Sequence, residues 1–347
     1  SLRFSLPAEE EQVLLWERAL PSHMPHADDL DPQALVRHYR LTPGDIREAG
    51  AIAAARASQR GAKAAITSAD VIDAIRQRLS HRLGDVAELV TTTMEWSDLV
   101  LAPELLDRLG EIIASYDHER LVLEEWGFGG RFSYGRALTA LFAGPPGTGK
   151  TMIAALIAKE LGLELFRVDL SRVVSKWVGE TEKNLGLAFD EAKNAQAILL
   201  FDEADSLFGK RTEVKSANDR YANLEVNFLL QRIESFEGIV LLTTNKESAI
   251  DEAFRRRIRF RVAFPAPTEE ERELLWRSMI PQAAPLAADV SFTALAKRFR
   301  MTGGNIKNAV MRAAYLAAAT PGQLITQDIL SRAATLEWEE MGKLTPA

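Results

Sequence analysis

The residues best spaced for chemistry are Gly144-Pro145-Pro146-Gly147-Thr148-Gly149-Lys150-Thr151, set between the apolar run Leu138 to Ala143 and the helix-like stretch Met152 to Leu161. A glycine-rich turn between a strand and a helix can curl so that successive N–H groups and the helix N-terminus face an anion. Lys150 then reaches the β and γ phosphates of a nucleoside triphosphate, and the Thr151 hydroxyl ligates Mg²⁺. About 50 residues on, Ala197 to Phe201 reads as a buried parallel strand delivering Asp202-Glu203-Ala204-Asp205 at its C-terminal end. Asp202 is placed to hold the Mg²⁺ through water, and Glu203 to polarise the attacking water. An isolated acidic cluster of this kind is as often a solvated loop; its place after a phosphate loop favours the chemical reading.

These groups need a scaffold that brings strand ends together. From Leu138 onward short apolar runs alternate with helical stretches: Leu138 to Ala143, Leu165 to Asp169, Ile198 to Phe201, Ile239 to Thr243 and Arg259 to Phe264. Helices between strands imply right-handed crossovers, hence a parallel sheet covered on both faces, with ligands at the C-terminal strand ends. Residues 1 to about 86 read as helical, with Ala-rich amphipathic segments at Asp45 to Ser58 and Ser68 to Leu79. Thr91 to Trp126 reads as a connector plus a helix for which Pro103 suits the first turn.

Composition narrows the class. With 347 residues, 47% hydrophobic and 26% charged, the chain can build two or three real cores. No apolar run approaches a membrane span and no signal sequence opens the chain, so a cytoplasmic protein is expected. The absence of cysteine excludes disulfides and thiolate metal sites, and the five histidines lack ligand spacing. A net charge of −7 argues against a duplex-DNA partner.

The chain also repeats itself at an offset of 260 residues. Glu9-Glu10-Glu11-Gln12-Val13-Leu14-Leu15-Trp16 aligns with Glu269-Glu270-Glu271-Arg272-Glu273-Leu274-Leu275-Trp276, and Tyr39 to Ile46 with Phe299 to Ile306. The register slips by a residue or two near Ile66-Thr67 and Ile325-Thr326. One small helical unit therefore opens and closes the chain.

Gly144 to Thr151, Phe201 to Asp205, Thr243-Thr244-Asn245 and Asp251 to Phe260 together resemble the AAA+ ATPases, in particular the AAA group of protein-remodelling rings. The resemblance covers about Trp96 to Trp338. It implies a P-loop NTPase fold: a five-stranded parallel sheet sandwiched by helices, then a small all-α lid. The expected units are residues 1–86, a helical lid-like domain; 87–264, the nucleotide-binding α/β domain with its N-terminal connector; and 265–347, the lid.

The resemblance also implies roles. ATP or ADP with Mg²⁺ is held by the phosphate-loop residues, Met152 and Asp202. Asn245 is the polar sensor that orients the lytic water, though an asparagine after a strand is often only a turn residue. Arg256 and Arg259, with Arg255 and Arg257 as alternatives, project into a neighbouring subunit's nucleotide, which requires a ring of identical subunits, a hexamer. Lys176, Trp177 and Val178 resemble a pore loop that grips an extended polypeptide, and the charged segment Lys215 to Arg220 could line the same pore. At the lid, Gly303 and Gly304 approach the adenine by backbone, and Asn305 stands where many AAA+ proteins carry a second sensor arginine. Leu99 and Val100 in the connector cover the adenine's other side, without the usual glycine.

Residues 1–86 look like the lid of a preceding AAA+ module whose nucleotide-binding half is absent, the alternative being an independent helical adaptor. The implied function is ATP-driven remodelling, unfolding or disassembly of a protein substrate. Rival readings are a nucleic-acid motor or loader and a nucleotide-dependent scaffold. The sequence also resembles bacterial AAA proteins, some encoded beside contractile, phage-tail-like injection machines.

Overall fold

A computed structural model of the chain describes residues 6–39, 41–61, 63–83, 86–131, 137–168, 180–204, 228–246, 250 and 255–343. Four helices lead: α1 (Glu9–Ala19), α2 (Pro32–His38), α3 (Pro43–Arg60) and α4 (Ser68–Leu83). Strand β1 (Ala87–Val90) and α5 (Pro103–Asp117) follow, then β2 (Leu138–Ala143), α6 (Lys150–Glu160), β3 (Leu165–Val168), α7 (Glu180–Asn194), β4 (Ile198–Phe201), β5 (Ile239–Thr244) and β6 (Phe260–Ala263). Four helices close the chain: α8 (Glu269–Ser278), α9 (Phe292–Arg298), α10 (Gly303–Ala318) and α11 (Gln327–Glu340).

The strands form one sheet in the order β1-β3-β4-β5-β2-β6. The five expected strands pair in parallel, with β2 between β5 and β6. A sixth strand, β1, was not expected: it pairs antiparallel with β3, from Ala87 opposite Val168 to Val90 opposite Leu165. Four residues a short step after a helix carry too little periodicity to announce an edge strand, and only β3 beside them makes them one.

Alternation across the pleat divides the sheet between two cores. Leu138, Ala140 and Phe142 of β2, with Leu165, Ile198, Leu200, Ile239 and Leu241, face α5 and α6. Leu141, Phe166, Val168, Leu199, Phe201, Val240 and Leu242 face the other way, into a core that continues through α7 into the leading helices, including Trp16, Tyr39, Ile75 and Leu83. The apolar surface of the leading helices is thus continuous with the core on this face of the sheet. One polar tie reinforces it. The Tyr39 hydroxyl donates to Glu164 Oε1 at 2.9 Å and Arg76 Nε donates to the same oxygen at 2.7 Å, with Glu164 buried just before β3. Burial, then the neighbouring carboxylate, push the Tyr39 phenol well above its ordinary pKa. The closing helices keep a separate core around Trp276, Phe299, Ile306 and Leu330.

The repeat persists at atomic detail. Trp16 and Trp276 are both fully buried, each with an indole N–H that meets no hydrogen-bond acceptor among the described residues. A parallel bridge joins His26 to Ile66 in the first unit and Leu286 to Ile325 in the second, so the offset falls from 260 to 259 in the intervening loop. Thr42 Oγ1 donates to Asp45 Oδ2 at 2.6 Å, and Thr302 Oγ1 donates to Asn305 Oδ1 at 2.7 Å.

Asp70, buried at the start of α4, takes the Arg60 guanidinium (Nη2 to Oδ2, 2.6 Å) and the Thr67 amide and hydroxyl, both at 2.9 Å. The hydrogen bond from Arg60 holds its carboxyl far below the usual carboxylate range. Because the folded-state pKa lies below the unfolded value of about 3.9, this contribution is complete above that value and is lost as pH falls below it. Acid unfolding of Asp70→Asn should therefore converge on wild type at low pH, while at pH 7 the variant should have the lower Tm in a thermal melt.

Candidate active site

The sheet gathers the chemistry at the C-terminal ends of β2, β4 and β5. Strand β2 is buried along its whole length and hands the chain to residues 144–149. Two glycines there adopt positive φ, Gly147 at 77° and Gly149 at 90°, and Gly149 caps α6. This backbone turns the first N–H groups of α6 toward the loop's concave side. Gly144 is required for another reason: a Cβ on it would stand 2.0 Å from the Phe264 carbonyl oxygen, where the chain leaves β6. Gly144→Ala should destabilise the fold by about 3 kcal/mol, read as a shift in the midpoint of chemical denaturation.

Lys150, only 8% exposed, folds its ammonium back over the loop. Nζ donates to the carbonyls of Gly144 (2.8 Å) and Pro145 (2.9 Å) and to Oδ1 of Asn245 (3.0 Å). Asn245, directly after β5, therefore stands at the same cation as the loop. Thr151 Oγ1 donates toward the Asp202 carboxylate, 3.3 Å from Oδ1 and 3.1 Å from Oδ2. Thr243, which sequence reasoning named only as part of a motif, is the link between the strands: its hydroxyl donates to Asp202 Oδ1 and accepts from the Glu203 amide at 3.0 Å. Its carbonyl takes the Ala204 amide at 2.8 Å. A buried threonine at a strand end was the only signal available for it. Glu203 has φ of 53°, a conformation non-glycine residues rarely adopt, and it is exposed.

The donor set suits a hard cation. One hydroxyl and one carboxylate, both oxygen ligands, match Mg²⁺, which keeps waters and shares substrate phosphates rather than sitting in an all-protein cage. Among the described residues no group of three or more His, Cys, Asp or Glu offers such a cage.

The closing helices reach the loop through α10. The Gly304 amide donates to the Gly147 carbonyl at 2.9 Å, and a Cβ on Gly304 would stand 3.0 Å from Gly147 Cα. A Cβ on Gly303 would lie 3.5 Å from the Gly147 carbonyl, so both glycines stand at the loop. Thr148 donates to Pro145 O at 2.9 Å, and the Met152 methyl lies 3.2 Å from where a Cβ on Gly149 would stand. Pro146 completes the turn. The start of the connector is tied to the last turn of α6: Trp96 Nε1 donates to Glu160 at 3.3 Å and Lys159 to Glu95 at 2.6 Å. Leu99 is half-buried on the α5–α6 core and Val100 follows it.

Arg256 and Arg259 stand apart from this cluster. Both are exposed at the start of β6, the sheet's edge. The Arg259 amide donates to Thr139 Oγ1 at 3.0 Å, level with the beginning of β2. The loop begins five residues further along β2, about 16 Å away at a strand's rise. Arg259 lies over the Phe260 ring at 5.3 Å, Arg257 pairs with Glu234, and Arg255 is half-buried. The residues Lys176, Trp177 and Val178, and the segment from Lys215 to Arg220, lie outside the described residues.

Comparison with known proteins gives this arrangement a class. Residues 140–267 match the family described as "ATPase family associated with various cellular activities (AAA)", and the fold is the AAA P-loop fold; this part of the chain is an AAA ATPase domain. Residues 8–87 match a second family, "Contractile injection system ATPase helical domain". Among curated relatives, the chain is 35% identical over 201 residues to ATP-dependent zinc metalloprotease FtsH 3 of Sphaerobacter thermophilus, covering 56% of this chain and 40% of that protein. It is 37% identical over 161 residues to a cell division cycle protein 48 homolog of Archaeoglobus fulgidus (45% and 22%). With katanin p60 ATPase-containing subunit A1 of Strongylocentrotus purpuratus the figures are 34% over 190 residues (51% and 36%). The match thus spans at most 40% of the length of these relatives. Among the described residues no helix is long and apolar enough to cross a membrane.

Proposed function

We propose that this chain hydrolyses ATP to ADP and phosphate and couples the reaction to remodelling, unfolding or disassembly of a protein substrate, as one subunit of a homo-oligomeric ring. The observation that carries the enzymatic part is the meeting of Lys150, Asn245, Thr151, Asp202 and Glu203 at three neighbouring strand ends. In this reading the loop amides and Lys150 bind the polyphosphate, and Gly303 and Gly304 lie over the nucleotide. Thr151 and Asp202 would hold Mg²⁺, which when bound neutralises charge on the phosphates. The Glu203 carboxylate accepts the proton of the attacking water, and the Asn245 amide orients that water.

The ring rests on the arginines. The Arg259 amide is bonded to Thr139, about 16 Å of strand before the loop begins, and Arg256 precedes it by three residues, so both start from the end of the sheet opposite the phosphates they are proposed to serve. A neighbouring subunit's nucleotide is the available target. The gripping role of Lys176, Trp177 and Val178 belongs to the same proposal and draws on the resemblance to protein-remodelling rings. So do the three units at 1–86, 87–264 and 265–347, supported by the separate core of the closing helices and the repeated contacts of the opening ones.

A second reading has one specific observation behind it. The match of residues 8–87 to a contractile injection system ATPase helical domain favours a structural assembly of that kind as the partner. The two readings differ in whether a polypeptide is gripped. Molar mass measured for Glu203→Gln with and without ATP tests the ring: an ATP-dependent rise to about six subunits supports it, and a persistent monomer at saturating ATP overturns it. In the assembled protein, Trp177→Ala should abolish remodelling while sparing hydrolysis; indifference to that substitution favours the scaffold.

A further inference from the structure

We propose that Thr139, the second residue of β2, is a positioning residue for the arginines that one subunit supplies to the next: its buried hydroxyl fixes the backbone between Arg256 and Arg259. The inference rests on reading those two arginines as serving a neighbouring subunit's nucleotide. Thr139 is 4% exposed, and its Oγ1 donates to the Arg257 carbonyl and accepts from the Arg259 amide, each at 3.0 Å. One hydroxyl therefore spans Ile258, itself buried. The ladder between β2 and β6 begins only at Ala140 opposite Phe260. Residues 257–259 lie before it, and the Thr139 side chain extends the pairing to them.

Other ties on this segment act in the same direction. The Ile258 amide donates to the Arg255 carbonyl at 3.3 Å, closing a turn around Arg256, and the Arg257 guanidinium pairs with Glu234 of its own chain. Arg256 and Arg259, on either side of the clamped stretch, are exposed. The residue type at 139 calls for a reason beyond the fold. Strand β2 is otherwise apolar and is buried along its length, where valine would offer the same shape, a high strand propensity and no hydroxyl to bury. A buried hydroxyl is unfavourable unless it is bonded, and both bonds of this one go to the arginine segment. The buried threonines at the other end of the sheet serve the phosphate site, Thr243 through Glu203 and Thr244 through the Gly144 amide. Thr139 stands at the end from which the arginines leave. Catalysis by a supplied arginine depends on its placement, and a displacement of about 1 Å can cost on the order of 10²-fold in rate.

The test measures phosphate release by the assembled full chain, with affinity for N-methylanthraniloyl ADP and Tm in parallel. Thr139→Val should lower turnover roughly tenfold to a hundredfold and leave ADP affinity and the molar mass with ATP unchanged. Thr139→Ser keeps the hydroxyl and should restore most of the rate. Because β2 also leads into the phosphate loop, mixing decides on which side of the interface the defect lies. With Glu203→Gln, Thr139→Val should gain turnover, since its intact Glu203 then meets a well-placed arginine from the other subunit. With Arg256→Ala it should gain nothing, since both variants are deficient as arginine donors. The opposite pattern overturns the inference, as does wild-type turnover in Thr139→Val or an equal loss in Thr139→Ser. If Thr139→Val does not fold, Thr139→Cys, whose thiol is a weak donor and acceptor, decides in the same mixtures. If Arg256→Ala and Glu203→Gln gain nothing from each other, the shared-site reading itself has failed, and this inference with it.

Discussion

Glu203→Gln should bind ATP with near wild-type affinity and turn it over 10² to 10⁴ times more slowly, a span set by what general-base catalysis contributes. The substitution changes almost nothing else. Glutamine keeps the shape of the side chain, and the backbone at 203 is held independently, by the Thr243 hydroxyl on its amide and the Thr243 carbonyl on the next one. Phosphate binding belongs to different residues, Lys150 and the loop. Loss of turnover should therefore appear in a phosphate-release assay without any loss of nucleotide binding or of Tm. Retained turnover would remove Glu203 from the base role. The neighbouring carboxylate could not readily replace it: Asp202 is already engaged by two hydroxyls, from Thr151 and Thr243.

Arg256→Ala should leave nucleotide binding and fold intact and lower turnover about 10³- to 10⁵-fold, the range for an arginine supplied to a phosphoryl-transfer site from another subunit. Arg256 precedes β6, at the opposite end of the sheet from its own loop, so the role proposed for it calls for a neighbour. This makes a complementation experiment decisive. In mixtures of Arg256→Ala with Glu203→Gln subunits, interfaces where an intact Glu203 meets an intact Arg256 should regain activity, giving a mixture faster than either variant alone. Absence of any gain over a full range of mixing ratios would contradict an arginine acting between subunits.

Much of the site was legible in the sequence because its groups lie close together along the chain. Gly144 to Thr151 is one turn and the start of one helix, and Asp202-Glu203 follows one apolar strand. Local backbone chemistry dictates both. Residues whose meaning depends on a distant partner were harder to read. Thr243 is a link only because β4 and β5 are adjacent in the sheet. Thr139 is one more residue of an apolar strand until the chain entering β6 lies against it. Strand β1 needs β3 at its side. The connector is a further case: the bonds of Glu95 and Trp96 to the last turn of α6 depend on a helix more than sixty residues away.

The N-terminal unit draws the line most clearly. The sequence by itself determined that it repeats the closing helices, because a buried tryptophan, a capped helix start and a small-residue helix face are specified by residue type at fixed spacing. Which surface each copy would bury was decided only in three dimensions. The first copy shares a core with one face of the sheet and ties itself down at Glu164, while the second keeps its own core and presents Gly303 and Gly304 to the phosphate loop. Helical periodicity reports which face of an element is apolar. It carries no information about which distant surface will cover that face, since burial of apolar area is non-directional and the choice is made by shape, by a few buried polar pairs and by chain connectivity.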